Sequence, residues 1–248
     1  MYTTFKCIKY IIIISITIFS FTYCQKYVDL ETGMVFSGYN DVQIPRSTGT
    51  RISLSEQLQT DPAIFYRLRL TYIINSKHTI SALYAPLKLL SSGQINDTVI
   101  FEGITFPANT PLKSTYIFNS YRLTYRYDFF QTDKIKFGLG FTAKIRDAAI
   151  TLESDSLKSE KINLGFVPII NFNFQWMFSN TLSFLINGDA LAAPQGRAED
   201  VLTAIQYNPN KNIGIRLGYR ILEGGANVEE VYNFTLINYL VLGATLEI

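Results

Sequence analysis

The sequence predicts an all-β fold, a transmembrane antiparallel β-barrel of about ten strands behind an N-terminal signal peptide. Three observations predict it. Residues 10–24 form an uncharged apolar run just behind two lysines. After that run, apolar and polar residues alternate with period two, the spacing at which a strand's side chains fall on opposite faces. The connections between the alternating segments are short at one end and long at the other.

The export segment comes first. Lys6 and Lys9 form a short basic region, and Tyr10 to Cys24 reads YIIIISITIFSFTYC. Its length suits a signal core plus cleavage region and falls short of the ~20 residues of a spanning helix. Cleavage before Gln25 would place Thr22 and Cys24 at the two small-residue positions. The expected division is therefore a signal peptide over 1–24 and a barrel domain over 25–248. An uncleaved anchor and a lipidated Cys24 are the alternatives; bulky Tyr23 beside the cysteine fits a lipidation site poorly. Export leaves Cys7 and Cys24 behind, and a chain free of thiols suits an oxidising compartment.

The strands follow in order. In AIFYRLRLTYI, Ile64, Tyr66, Leu68, Leu70 and Tyr72 share one face, and Arg67, Arg69 and Thr71 the other. Residues 120–130 place Tyr121, Leu123, Tyr125, Tyr127 and Phe129 opposite Arg122, Thr124, Arg126 and Asp128. After the turn Gln131–Asp133, Leu139, Phe141 and Ile145 oppose Gly140, Thr142, Lys144 and Arg146. Ile213, Ile215, Leu217 and Tyr219 likewise oppose Arg216, Gly218 and Arg220. The uncharged stretch Ile162–Gly188 is long enough for a membrane helix, but Asn171, Asn173 and Gln175 alternate with Phe172, Phe174 and Trp176. Those amides share one face only on a strand, and Pro168 and Gly165 disfavour a helix. The break at Ser179–Thr181 splits the stretch into two strands. The count is 28–39, 62–74, 78–90, 113–130, 134–151, 160–178, 181–192, 199–208, 211–222 and 231–248. Twelve strands or eight are the alternatives, twelve if Ser91–Pro111 adds a hairpin. Ile44–Asp61 reads as a polar, mobile outer loop.

A soluble sandwich alternates too. Here, however, the polar face carries closely spaced Arg and Lys, the apolar face is rich in Tyr and Phe, and the strands are long enough to cross a bilayer at a tilt. On these features the chain resembles the bacterial outer-membrane β-barrel class, over Tyr27 to Ile248. It departs in ending on Ile248, where such barrels often end in an aromatic. The resemblance implies insertion in the outer membrane, contact with its lipids, and assembly by the barrel-assembly machinery.

Composition bounds the function. The 22 basic and 20 acidic residues leave a net charge of +2, which indicates no nucleic-acid partner. A single His and two Cys disfavour metal sites and a Ser-His-Asp or Cys-His catalytic pair. The resemblance implies that barrel enzymes of this size use a His as general base; His78 lies in a turn at the periplasmic end, so the expectation is a non-enzymatic barrel without cofactors. The notable constellation is charged. Arg146, Asp147, Asp189, Arg197, Asp200, Arg220 and Glu223 are expected to face inward in the outer half of the lumen, with Arg67, Arg69, Arg122, Arg126 and Arg216 deeper. Two readings stay open: a network that fills a narrow lumen, or a site near the outer mouth that grips a small anionic ligand or constricts a solute path. An envelope-lipid-modifying enzyme using Asp147, Asp189 or Asp200 is the alternative function.

Overall fold

A computed structural model describes residues 24–248. The expected signal peptide, apart from Cys24, lies outside the described residues. Cys24 itself opens the first strand, opposite Ile74.

The elements are β1 (Cys24–Gln43), β2 (Ile52–Ser53), β3 (Leu58–Thr60), β4 (Ala63–Ile74), β5 (His78–Ala85), β6 (Lys88–Ile95), β7 (Val99–Phe101) and β8 (Ile104–Phe106). They continue with β9 (Thr110–Gln131), β10 (Ile135–Glu153), β11 (Lys158–Met177), β12 (Leu182–Ala193), β13 (Gly196–Tyr207), β14 (Ile213–Val228) and β15 (Val231–Glu247). All pairings are antiparallel. The sheet closes, because β1 pairs with both β15 and β4, and β10 pairs with both β9 and β11.

Ten staves make the barrel. β5 and β6 form a single stave on β9, His78–Ala85 facing Tyr127–Ser120 and Lys88–Ile95 facing Ile117–Thr110. Pro86 interrupts them, since proline has no N–H to give the ladder. The region 91–111 does hold an extra hairpin, β7–β8, turned at Gly103 with φ +79°. That hairpin is a separate two-stranded sheet, so the stave count does not rise.

The outer wall is apolar. Phe141 and Leu217 are 73% and 70% exposed, while Thr142 and Arg216 beside them are buried. Such a surface needs lipid around it, and ring closure pairs neighbouring strands, although Lys158–Ile169 of β11 rise past β12 without a partner on that side. Aromatic pairs stand at two heights, Trp176 with Phe178 and Phe129 with Phe137 near the short turns, and Tyr84 with Tyr121 further up. Among the described residues no helix is long and apolar enough to cross a membrane; strands make the crossing.

Candidate functional site

The lumen is built in three layers. The middle layer is ionic. Arg67 on β4, Arg122 on β9, and Arg216 and Arg220 on β14 project inward by the same parity that turns Leu68, Leu123 and Leu217 outward. Asp29 and Glu31 on β1, Asp189 on β12 and Asp200 on β13 meet them. The balance is four guanidiniums against four carboxylates.

Geometry commits every one of these carboxylates. Asp200 accepts from Arg67 Nη2 at 3.0 Å, from Arg122 and, through its other oxygen, from Arg220. Asp189 accepts from Arg122 Nη1 at 2.6 Å, Thr142 Oγ1 at 2.7 Å and Asn171 Nδ2 at 2.9 Å. Glu31 receives Arg216 Nη2 at 2.8 Å and Arg220 Nη2 at 2.9 Å. Arg216 also grips Asp29 with both ends of its fork. Groups this buried retain charge only when paired and hydrogen-bonded. Lys144, 3% exposed, joins the layer from β10 with its ammonium 4.8 Å from the centre of the Phe118 ring.

Above the ionic layer the lumen is filled by apolar side chains. Ile44, Ile52, Leu54 and Leu58 from the β1–β4 connection pack with Val99, Phe101 and Phe106 of the β7–β8 hairpin. Inward residues of the strands, among them Leu89, Leu112, Leu152 and Ile237, complete the cluster, each at most 2% exposed. Backbone bonds sew the two connections together, Thr50 N to Ile100 O and Glu102 N to Ile44 O, both at 2.8 Å. The 44–61 segment is thus a packed cap and not a loose polar loop. Its apolar residues are too scattered to show a period.

Below the ionic layer lies a cavity of about 880 Å³, open at the end of the short turns. Arg69, Arg126 and Lys136 line one side, and Asn173, Asn187 and Gln206 another.

Of the residues singled out by sequence, Arg122, Asp189, Asp200, Arg216 and Arg220 come together, in the middle of the barrel and not in its outer half. Arg126 sits lower, bonded through Nε to Asp128 at 2.8 Å. Arg146 faces inward but bonds Asn163, over Gly165, away from the network. Asp147 has the opposite parity and turns outward, accepting from Asn119 at 3.1 Å. Arg197 and Glu223 pair at 2.7 Å on the parity of exposed Leu217 and Tyr219, so they decorate the outer face near the rim, where Tyr39 donates to Glu223. The outer mouth is filled by the apolar cap, which displaces the expected charged site there. Asp29 and Glu31 are partners the charge reading left out, whereas Arg67 joins the network as one of the deeper arginines it named. The signal was present, since Asp29 and Glu31 flank Leu30 in strict alternation.

Comparison with known proteins fits this geometry. The outer membrane protease OmpT of Escherichia coli superposes with a TM-score of 0.55 at 8% identity, over 90% of this chain and 97% of that one. The chain folds as an outer-membrane β-barrel. Its apolar outer wall suits a lipid bilayer, and barrels of this fold reside in the outer membrane. Smaller likenesses join this barrel to Ail of Yersinia pestis, with a TM-score of 0.38, 9% identity and coverage of 90% and 99%, and to neisserial surface protein A, with 0.36, 14%, and 90% and 97%. No protein-family profile and no curated protein matches the chain.

Proposed function

We propose that this outer-membrane barrel is non-enzymatic and non-conducting, a wall element of the envelope whose lumen is sealed by its own side chains. The ionic layer carries the reading: four guanidiniums and four carboxylates from six staves meet across the barrel axis, none more than 9% exposed. The apolar cap above it removes the outer entrance. A solute path through such a barrel would have to break paired charges in a dry setting, at a cost of several kcal/mol.

The enzymatic alternative asks for a carboxylate free to take or give a proton. Asp189 and Asp200 are committed to arginines, and Asp147 lies outside the lumen beside Asn119. The likeness to a protease is one of fold and carries no chemistry to this chain.

Planar-bilayer recording tests the reading. The purified barrel should insert without unitary current steps. Regular steps from the unmodified protein would end the sealed-lumen proposal, and turnover of outer-membrane lipids in a detergent assay would end the non-enzymatic one.

A further inference from the structure

The cavity beneath the ionic layer has no part in sealing the barrel. Its volume of about 880 Å³ falls within the range of small-molecule sites. Its walls carry charged and amide side chains among a few apolar ones, and they differ from side to side.

One side is cationic. Arg126 Nε and Lys136 Nζ share the single carboxylate of Asp128, each at 2.8 Å. Arg69 lies in the same cavity. Its one hydrogen bond is from Nη1 to Ser81 Oγ at 3.2 Å, and among the described residues no carboxylate lies within ion-pair distance of it. Asp29 lies opposite Arg69 across the β1–β4 pairing and lines the same cavity, but both of its oxygens are taken by the Arg216 fork, so Arg69 keeps no carboxylate of its own in a recess walled by protein. Thr79 and Ser81 add hydroxyls beside it. A guanidinium fork matches the geometry of an oxyanion.

The facing side is neutral and rich in amides. Asn187 Nδ2 reaches Asn173 Oδ1 at 3.3 Å, and Gln206 Nε2 reaches Asn208 Oδ1 at 2.8 Å. Each amide has more donors and acceptors than these bonds use. Amide groups of this kind suit the paired donor and acceptor character of sugar hydroxyls.

We propose that the cavity is a binding site for a small anionic sugar arriving from the periplasm, its oxyanion held by Arg69 beside Arg126, and its hydroxyls by the Asn173, Asn187 and Gln206 side. The proposal does not depend on whether the lumen above conducts.

The test is isothermal titration of the whole barrel in detergent with three probes: inorganic phosphate, glucose and glucose 6-phosphate. Glucose 6-phosphate should bind saturably and more tightly than either part alone, with inorganic phosphate displacing it. Arg69→Gln should weaken glucose 6-phosphate and phosphate alike by about tenfold or more. Arg69→Lys, which keeps the charge and loses the fork, should fall between, and it carries the test if the glutamine variant fails to fold. Asn187→Ala should weaken the sugar phosphate and spare inorganic phosphate. No saturable binding by any probe, or unchanged binding in both Arg69 variants, overturns the site. Phosphate binding as tight as glucose 6-phosphate, with Asn187→Ala silent, overturns the sugar and leaves a bare oxyanion site.

Discussion

Arg220 spans two carboxylates, Asp200 on the neighbouring strand and Glu31 across β15, at 2% side-chain exposure. Removing it takes one guanidinium from each acid and leaves the buried layer one positive charge short, with Asp200 still on Arg67 and Arg122 and Glu31 still on Arg216 and Arg67. Arg220→Ala should cost about 3–5 kcal/mol in a urea unfolding titration. Arg197→Ala removes an equally short pair, but Arg197 is 46% exposed, and its loss should cost under ~1 kcal/mol in the same titration. The contrast separates a buried network from a surface pair of similar length. Face assignment is tested by Leu217→Arg, which puts a charge against lipid and should cost about 2–4 kcal/mol, while Thr71→Lys, in the open cavity, should be mild. Inward position alone does not make a substitution mild, since Thr142 is 1% exposed and donates to Asp189, and a lysine there would disturb the network. Parity made Arg122, Asp189, Asp200, Arg216 and Arg220 legible as inward residues. It could not say which acids they would meet, because partners such as Arg216 and Asp29 stand 187 positions apart. Asp147 and Glu223 were misplaced because charge was weighed above their broken parity, and Arg197 because it fell in the connection before the expected strand 199–208, whereas β13 starts at Gly196.

At the scale of elements, strands were the legible part, because each is a local pattern of alternation bounded by short polar connections such as Thr132–Lys134. Even the two-strand reading of 160–192 followed from amides at period two. The cap was not legible. It is assembled from two connections distant in sequence, and inside it the inward faces of β9, β10 and β15 turn apolar, as Leu112, Leu152 and Ile237 show. Alternation then no longer marks inside from outside. The cap should behave as a true core. Phe101 is 1% exposed, and its carbonyl accepts from Ser159 of β11 at 3.2 Å. Phe101→Ala should cost about 3–5 kcal/mol. If the cap were a loose lid, the urea midpoint of that variant would match the unmodified protein, and protease would cut within 96–109 in both.

For the molecule as a whole, closure of β1 on β15 joins the two ends of the described chain, with Tyr27 opposite Glu247. That seam has a consequence for how the barrel forms. Asp29 and Glu31 lie on the first stave, whereas Arg216 and Arg220 lie on the next to last. A sheet that has formed every other pairing, but not this one, leaves Arg216 and Asp29 without each other and parts Glu31 from Arg216 and Arg220, so that Arg220 keeps only Asp200 and Glu31 only Arg67. Half-built barrels are therefore penalised until the final pairing, and the penalty vanishes at once when the seam shuts. Unfolding should follow a single steep transition, with tryptophan fluorescence at Trp176 and the gel-mobility shift of the closed barrel tracing coincident curves. Replacing Asp29, Glu31, Arg216 and Arg220 together by Asn, Gln, Met and Met should split those curves, because the electrostatic debt that forbids an open intermediate would be gone.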